Sequence, residues 1–165
     1  MVTGKKIIIK SPKEMEKFAA AVAKNLRGGE VLALTGELGA GKTAFVKGLA
    51  KALGISAVVQ SPTFLLMKCY RVNPDASSGH AASPIQGFVH RPSSIVHSLC
   101  HVDAYRIKDE RELMNIGLQE HLADPATVTA IEWADRVVGL IPDDAIWIKF
   151  EHGSDSMERI AVLNI

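Results

Sequence analysis

The sequence of 165 residues holds two cysteines, Cys69 and Cys100. Two are too few for a disulfide framework, and they suit a reducing compartment. Aromatic residues make up 5% of the chain, and they form no stripe interleaved with basic residues of the kind that stacks exposed bases. Neither sign of charge is in excess. Nineteen Lys and Arg stand against eighteen Asp and Glu, a net +1, which argues against a generic basic face for phosphate backbones. No stretch approaches the roughly 18 apolar residues of a membrane span. The opening MVTGKKIIIKSPKE returns to charge at Lys10, before an apolar run of signal-peptide length develops. These absences predict a cytoplasmic protein with no membrane segment. At roughly 100–200 residues per domain the chain makes one domain, residues 1–165. Its 47% apolar and 22% charged residues are globular in proportion.

Apolar periodicity predicts alternating strands and helices. Residues 5–10 (KKIIIK) form a β-rich run. Ser11-Pro12-Lys13-Glu14 then supplies a capping hydroxyl, a proline in the first turn and a glutamate three residues after the cap. The helix so opened carries Met15, Phe18, Ala19, Val22 and Leu26 on one face and is expected to run to about Arg27, ended by Gly28-Gly29. Val31-Leu32-Ala33-Leu34-Thr35 is continuously apolar, as a strand buried on both faces of a parallel sheet must be. A second helix is expected over 42–53, further strands at 63–71, 98–104, 127–132, 145–151 and 158–165, and helical material near 109–123 and 134–139. This alternation predicts a three-layer α/β fold whose central sheet is mainly parallel, with the last two strands forming an antiparallel hairpin at its edge.

Residues 73–97 break the pattern. They contain three prolines, five serines and two glycines but two charged residues. Structureless loops beyond about 12–15 residues are uncommon inside compact domains, so this segment is expected to be a flexible surface insertion. It holds His80, His90 and His97, half of the histidines.

Gly36-Glu37-Leu38-Gly39-Ala40-Gly41-Lys42-Thr43 matches GxxxxGK[ST], between the apolar strand and the second helix. Phosphates demand such a loop. Its glycines let successive N–H groups turn inward, and the helix N-terminus adds positive potential. Lys42 is the residue that reaches the β- and γ-phosphates, and the Thr43 hydroxyl is the one that ligates Mg²⁺. The expectation is a nucleotide site with Mg²⁺ as its metal.

A P-loop needs an acidic partner at the end of another strand, to hold the metal or orient the attacking water. Asp103 ends one expected strand and Glu132 another, so both are candidate catalytic residues and candidate metal ligands alongside Thr43. Ser61-Pro62-Thr63 could close over the γ-phosphate as a switch loop does, or be an ordinary turn. Trp133 could stack on the base or sit in the core, and Arg159 could neutralise phosphate charge or be solvated on an edge strand. The run His97-Ser98-Leu99-Cys100-His101 has metal-ligand spacing. Strand alternation nevertheless puts Cys100 and His101 on opposite faces, so no zinc site is expected from it.

Taken in order, GELGAGKT, SPTF, HVDAYRI, ELMNIGLQEHL and IEWADR resemble the TsaE family, small bacterial P-loop ATPases required for the threonylcarbamoyl modification of adenosine 37 in tRNA. The resemblance covers nearly the whole chain except the insertion. It implies that Lys42 and Thr43 hold ATP and Mg²⁺, that Ser61-Pro62-Thr63 is switch-like, and that Asp103 and Glu132 are the two acids. It also implies that Trp133, Asp135, Ser11 and Arg159 line the nucleotide pocket, and that the partners are TsaB- and TsaD-like proteins, with tRNA contacted only through them. Two other classes share a P-loop: a small-molecule or nucleoside kinase, and a nucleotide-dependent binding switch with negligible turnover. Against a kinase, Arg106, Arg111, Arg136 and Arg159 are dispersed rather than gathered in a lid. Against a guanine switch, no Asn-Lys-x-Asp follows a late strand.

Overall fold

The strand Val31–Thr35 (β2) is paired in parallel on both sides and is buried almost throughout, as its apolar run requires. It is the middle of a seven-stranded sheet in a computed structural model that describes residues 4–62, 65–72 and 96–164. The other strands are β1 (Lys5–Ile9), β3 (Met67–Arg71), β4 (Ser98–Asp103), β5 (Thr127–Glu132), β6 (Ile146–His152) and β7 (Arg159–Asn164). Their order across the sheet is β1-β7-β6-β2-β5-β4-β3. The four central strands β6, β2, β5 and β4 run parallel. The expected C-terminal hairpin is β6–β7, and β1 adds antiparallel to β7 outside it. At the other end β3 pairs antiparallel with β4.

Helices α1 (Pro12–Ala23) and α2 (Lys42–Ala52) pack on one face of the sheet, and the short helices α3 (Arg111–Asn115) and α4 (Leu118–Ala123) with two 3₁₀ turns cover the other. The helical stretch expected near 109–123 is therefore two pieces, broken at Ile116-Gly117. The first helix also stops earlier than its apolar face suggests. After Ala23 the chain tightens, Asn25 N–H donating to the Val22 carbonyl and Leu26 N–H to that of Ala23. The Asn25 amide turns back to the Ala21 carbonyl at 3.0 Å, one of the local bonds by which asparagine competes with helix. Leu26 is still delivered to the core, 2% exposed.

On the α1–α2 side the core centres on Phe18, Phe45 and Phe150, whose ring centroids stand 5.4, 5.5 and 6.4 Å apart. On the other side Val102 and Ile131 meet Leu113, Leu118, Ala134 and Val137. Among the described residues no helix is long and apolar enough to cross a membrane. Most of the segment 73–97 lies outside the described residues. Its last two residues belong to the body: Val96 is in the core, and the backbone of His97 bonds to both Val72 and Ala126.

The cysteines depart from the expectation. Cys69 on β3 and Cys100 on β4 are directly opposed, and the structure joins them in a disulfide. The register of an antiparallel pair, invisible in a spacing of this length, brings them together.

Truncating the aromatic trio gives the first test. Phe45→Ala is expected to cost about 3–5 kcal/mol by loss of burial and cavity formation, read as a lower urea midpoint at an unchanged denaturant slope.

Candidate functional site

At the carboxyl end of β2 the chain turns through Gly36 with φ +126°, and a Cβ there would stand 2.1 Å from the Phe150 carbonyl oxygen. Only glycine fits. Gly41, at φ +111°, caps α2 without a side-chain bond, so the first N–H groups of an eleven-residue helix have no capping side chain, and no acidic residue lies in that first turn. This is a positively polarised helix start aimed at the loop.

Lys42 is the first residue of α2 and is 4% exposed. Its ammonium donates to the carbonyls of Gly36 at 2.6 Å and Glu37 at 2.8 Å, and lies 3.8 Å from the centroid of the Trp133 ring. Burial pushes its pKa below the ordinary lysine value, and the nearby carboxylates of Glu132, Asp103 and Asp135 oppose that fall.

The two acids come from neighbouring strands. Asp103 and Glu132 are register partners at the ends of β4 and β5, 4% and 3% exposed. The structure separates their surroundings. Glu132 Oε2 accepts from the Thr43 hydroxyl at 2.9 Å, while its Oε1 is 2.7 Å from His101 Nε2. Asp103 Oδ2 accepts from the Ser61 hydroxyl at 2.6 Å and its Oδ1 from the Tyr105 N–H at 3.0 Å. One acid therefore faces the start of α2, and the other holds Ser61. Thr63 lies outside the described residues.

His101 was not singled out as a site residue, yet it is fully buried between this acid and the core. Its Nδ1 has no hydrogen-bond partner among the described residues, consistent with an imidazole whose Nε2–H donates to Glu132. The alternation that sets Cys100 and His101 on opposite faces was legible; that His101 points at Glu132 was not, because it depends on the β4–β5 register.

Trp133 follows Glu132 directly and takes a left-handed backbone, φ +59°. Leu66, just before β3, does the same at +62°, and its carbonyl accepts from Asp103 N–H. Among the described residues these are the non-glycine positions with positive φ, and both adjoin the site. Such strain of roughly 1–3 kcal/mol each collects at functional sites. The Trp133 ring packs on Tyr105, centroids 4.9 Å apart, and Arg136 lies over both rings while donating to the Tyr105 carbonyl at 2.8 Å. Beside the loop opens a cleft of about 490 Å³ lined by Thr35, Gly36, Glu37, Trp133, Asp135, Trp147 and Lys149. It gathers Trp133 and Asp135. Trp147 and Lys149 were missed, since a strand residue shows nothing of its neighbour until β6 is placed beside β2.

The remaining expected residues sit at the margins. Leu38 is exposed and Ala40 is fully buried. Arg159 donates to the Gly39 carbonyl at 3.0 Å and to those of Ser156 and Glu158, and a His152 ring nitrogen is 3.2 Å from the Leu38 carbonyl, so the β6–β7 hairpin braces the loop. The Ser11 hydroxyl caps α1 by accepting from Glu14 N–H. That helix reaches the loop through Met15, whose Cε is 2.9 Å from where a Cβ on Gly41 would be.

Sheet order, loop and acidic strand ends define an α/β protein of the P-loop fold. A family model described as "Threonylcarbamoyl adenosine biosynthesis protein TsaE" matches residues 9–161. The tRNA threonylcarbamoyladenosine biosynthesis protein TsaE of Bacillus subtilis is 33% identical over 150 residues, 91% of this chain and 79% of the relative. The protein of that name from Treponema pallidum is 31% identical over 155 residues, 94% and 97% of the two chains. The crystal structure of Bacillus subtilis YdiB superposes with a TM-score of 0.71 at 26% identity, covering 100% of this chain and 88% of the other. This chain belongs to the TsaE family, as its motifs implied.

The Lys42–Trp133 contact yields an optical test. Replacing Trp147 by Phe leaves Trp133 as the single indole. Adding ATP with Mg²⁺ is expected to draw the ammonium off the ring and change the emission. Saturable ATP binding with unchanged emission would show that the ring lies away from the nucleotide.

Proposed function

We propose that this chain binds ATP with Mg²⁺ and hydrolyses it in support of the threonylcarbamoyl modification of a tRNA adenosine, acting with TsaB- and TsaD-like proteins. The observation that carries the reading is the meeting of the Thr43 hydroxyl and the Glu132 carboxylate, 2.9 Å apart at the mouth of a glycine-turned loop with Lys42 buried beside them. Hard oxygen donors are what Mg²⁺ requires, and a hydroxyl and a carboxylate converging on one point meet that requirement. Thr43 and Glu132 would hold the metal, which when bound neutralises charge building between the β- and γ-phosphates.

Each residue then has a task its place suits. The N–H groups of the loop and of the first turn of α2 cradle phosphate oxygens. Lys42 exchanges the carbonyls of Gly36 and Glu37 for the β- and γ-phosphates, where a buried cation acts with little screening. His101 holds the Glu132 carboxylate in one orientation. Asp103, bonded to Ser61, couples that residue to the site, so that closure over the γ-phosphate passes through this bond. Trp133, Asp135 and Trp147 offer the cleft to the base and ribose. Asp103 is thus assigned to closure, and Glu132 to the metal and the attacking water.

Phosphate release by the purified chain, alone and with the partner proteins and tRNA, tests the proposal. Slow basal release accelerated by the partners is expected. A requirement for a small acceptor would identify a kinase, and binding without turnover a switch. Lys42→Ala removes charge-assisted bonds of about 1.5–3 kcal/mol each, and at about 1.4 kcal/mol per factor of ten it should lower turnover at least tenfold. Unchanged turnover would overturn the assignment.

Glu132→Gln keeps the shape and removes the charge, so ATP should still bind while stimulated hydrolysis falls. Asp103→Asn should weaken stimulation by partners more than basal turnover. Wild-type rates in both amides would remove both acids from the chemistry. At net charge +1, the chain alone should bind tRNA weakly and nonspecifically at physiological salt, with contact made through its partners. Tight, saturable binding by the purified chain would contradict that.

A further inference from the structure

On the sheet face opposite α2, two strands and a helix bring sulfur and imidazole together, away from the P-loop. Cys69 and Cys100 are cross-strand partners joined as a disulfide. Cys69 Sγ lies 3.7 Å from Nε2 of His121, in the last turn of α4. The three ligand atoms all lie within 4.8 Å of one another, with Cys100 buried, His121 half-buried and Cys69 exposed. The cluster thus has a protein floor and one side open to solvent.

We propose that, once the disulfide is reduced, Cys69, Cys100 and His121 form a zinc site with water in the fourth position. Zinc binds sulfur at about 2.3 Å and nitrogen at about 2.0–2.1 Å in a tetrahedron, which sets a sulfur and a nitrogen on one ion about 3.5 Å apart. The Cys69–His121 separation of 3.7 Å already matches. Two sulfurs on that ion stand about 3.8 Å apart, within reach of side chains directly opposed across an antiparallel pair once the sulfur–sulfur bond is opened. Two thiolates and an imidazole select a borderline ion such as zinc over Mg²⁺, so this site does not compete for the metal of the P-loop.

The chemistry balances. A dithiol reductant gives two electrons and two protons to the disulfide and becomes a disulfide itself, leaving two thiols. Zinc then displaces both thiol protons to solvent without changing oxidation state. Disulfide and zinc exclude each other because each needs the same sulfur electron pairs. In either state the edge strand β3 is pinned to β4, and the zinc state adds a coordinate bond to α4.

The test uses the full chain, reduced by a trialkylphosphine that leaves no competing thiol, and Zn²⁺ alone, with Co²⁺ as the spectroscopic probe. One zinc per reduced chain is expected, none in the disulfide form, and a cobalt spectrum with thiolate charge-transfer and tetrahedral bands. Losing even an outer-shell partner of a metal site costs about 10–100-fold, so Cys69→Ser and His121→Asn should each weaken binding at least tenfold. In the unaltered chain, which does not depend on a variant folding, zinc should protect Cys69, the exposed cysteine of the reduced pair, from alkylation. Equal zinc binding by the reduced and disulfide forms, full affinity in Cys69→Ser, or absence of protection would overturn the proposal.

Discussion

Everything at this site answers to one constraint: an ammonium and two carboxylates are buried together at the carboxyl edge of the sheet. Lys42, Asp103 and Glu132 are each less than 5% exposed, and a lone ion so placed would cost several kcal/mol. The fold meets the cost by convergence. Three parallel neighbours, β2, β5 and β4, end side by side, so the loop after the first faces the acids that end the other two. Every charged atom then finds a partner: Lys42 on two carbonyls and an indole face, Glu132 on Thr43 and His101, Asp103 on Ser61 and the Tyr105 N–H.

Those partners are of two kinds. Some are fixed by the sheet, such as His101, locked within β4. Others lie outside the strands or beside strained backbone, such as Ser61, near the left-handed Leu66, and the turn at Trp133. A ligand that offers Lys42 phosphate oxygens competes with carbonyls and an aromatic ring, not with a rigid ion pair. The burial that lowers the lysine pKa also strengthens whatever negative charge replaces those contacts. Bracing from Arg159 and His152 keeps the loop in shape meanwhile.

Much of the architecture was legible because local signals agreed with one another. The apolar run of β2, the capping sequence at Ser11 and the glycine-rich loop each dictate their own backbone, so strand, helix start and loop fell where periodicity put them. The end of α1 was less legible, since Asn25 and its neighbours trade helical bonds for tighter turns while Leu26 stays in the core. The division between α3 and α4 was likewise hidden, because a single glycine in a helical pattern does not announce whether the chain will turn there.

By itself the sequence determined the chemistry available: a loop only glycine can turn, a lysine and a threonine at the start of a helix, and acids at two strand ends. These are short-range facts, set by residues a few positions apart and by the covalent limits of the backbone. The tertiary structure alone decided which acid faces Thr43, that His101 completes Glu132, that Trp147 joins Trp133 across the cleft, and that Cys69 meets Cys100 and His121. The reason is register. Pairing of distant strands depends on the summed fit of two side-chain surfaces, and a slip of one residue would turn the strand residues among these, such as His101, Glu132, Trp147, Cys69 and Cys100, to the opposite face.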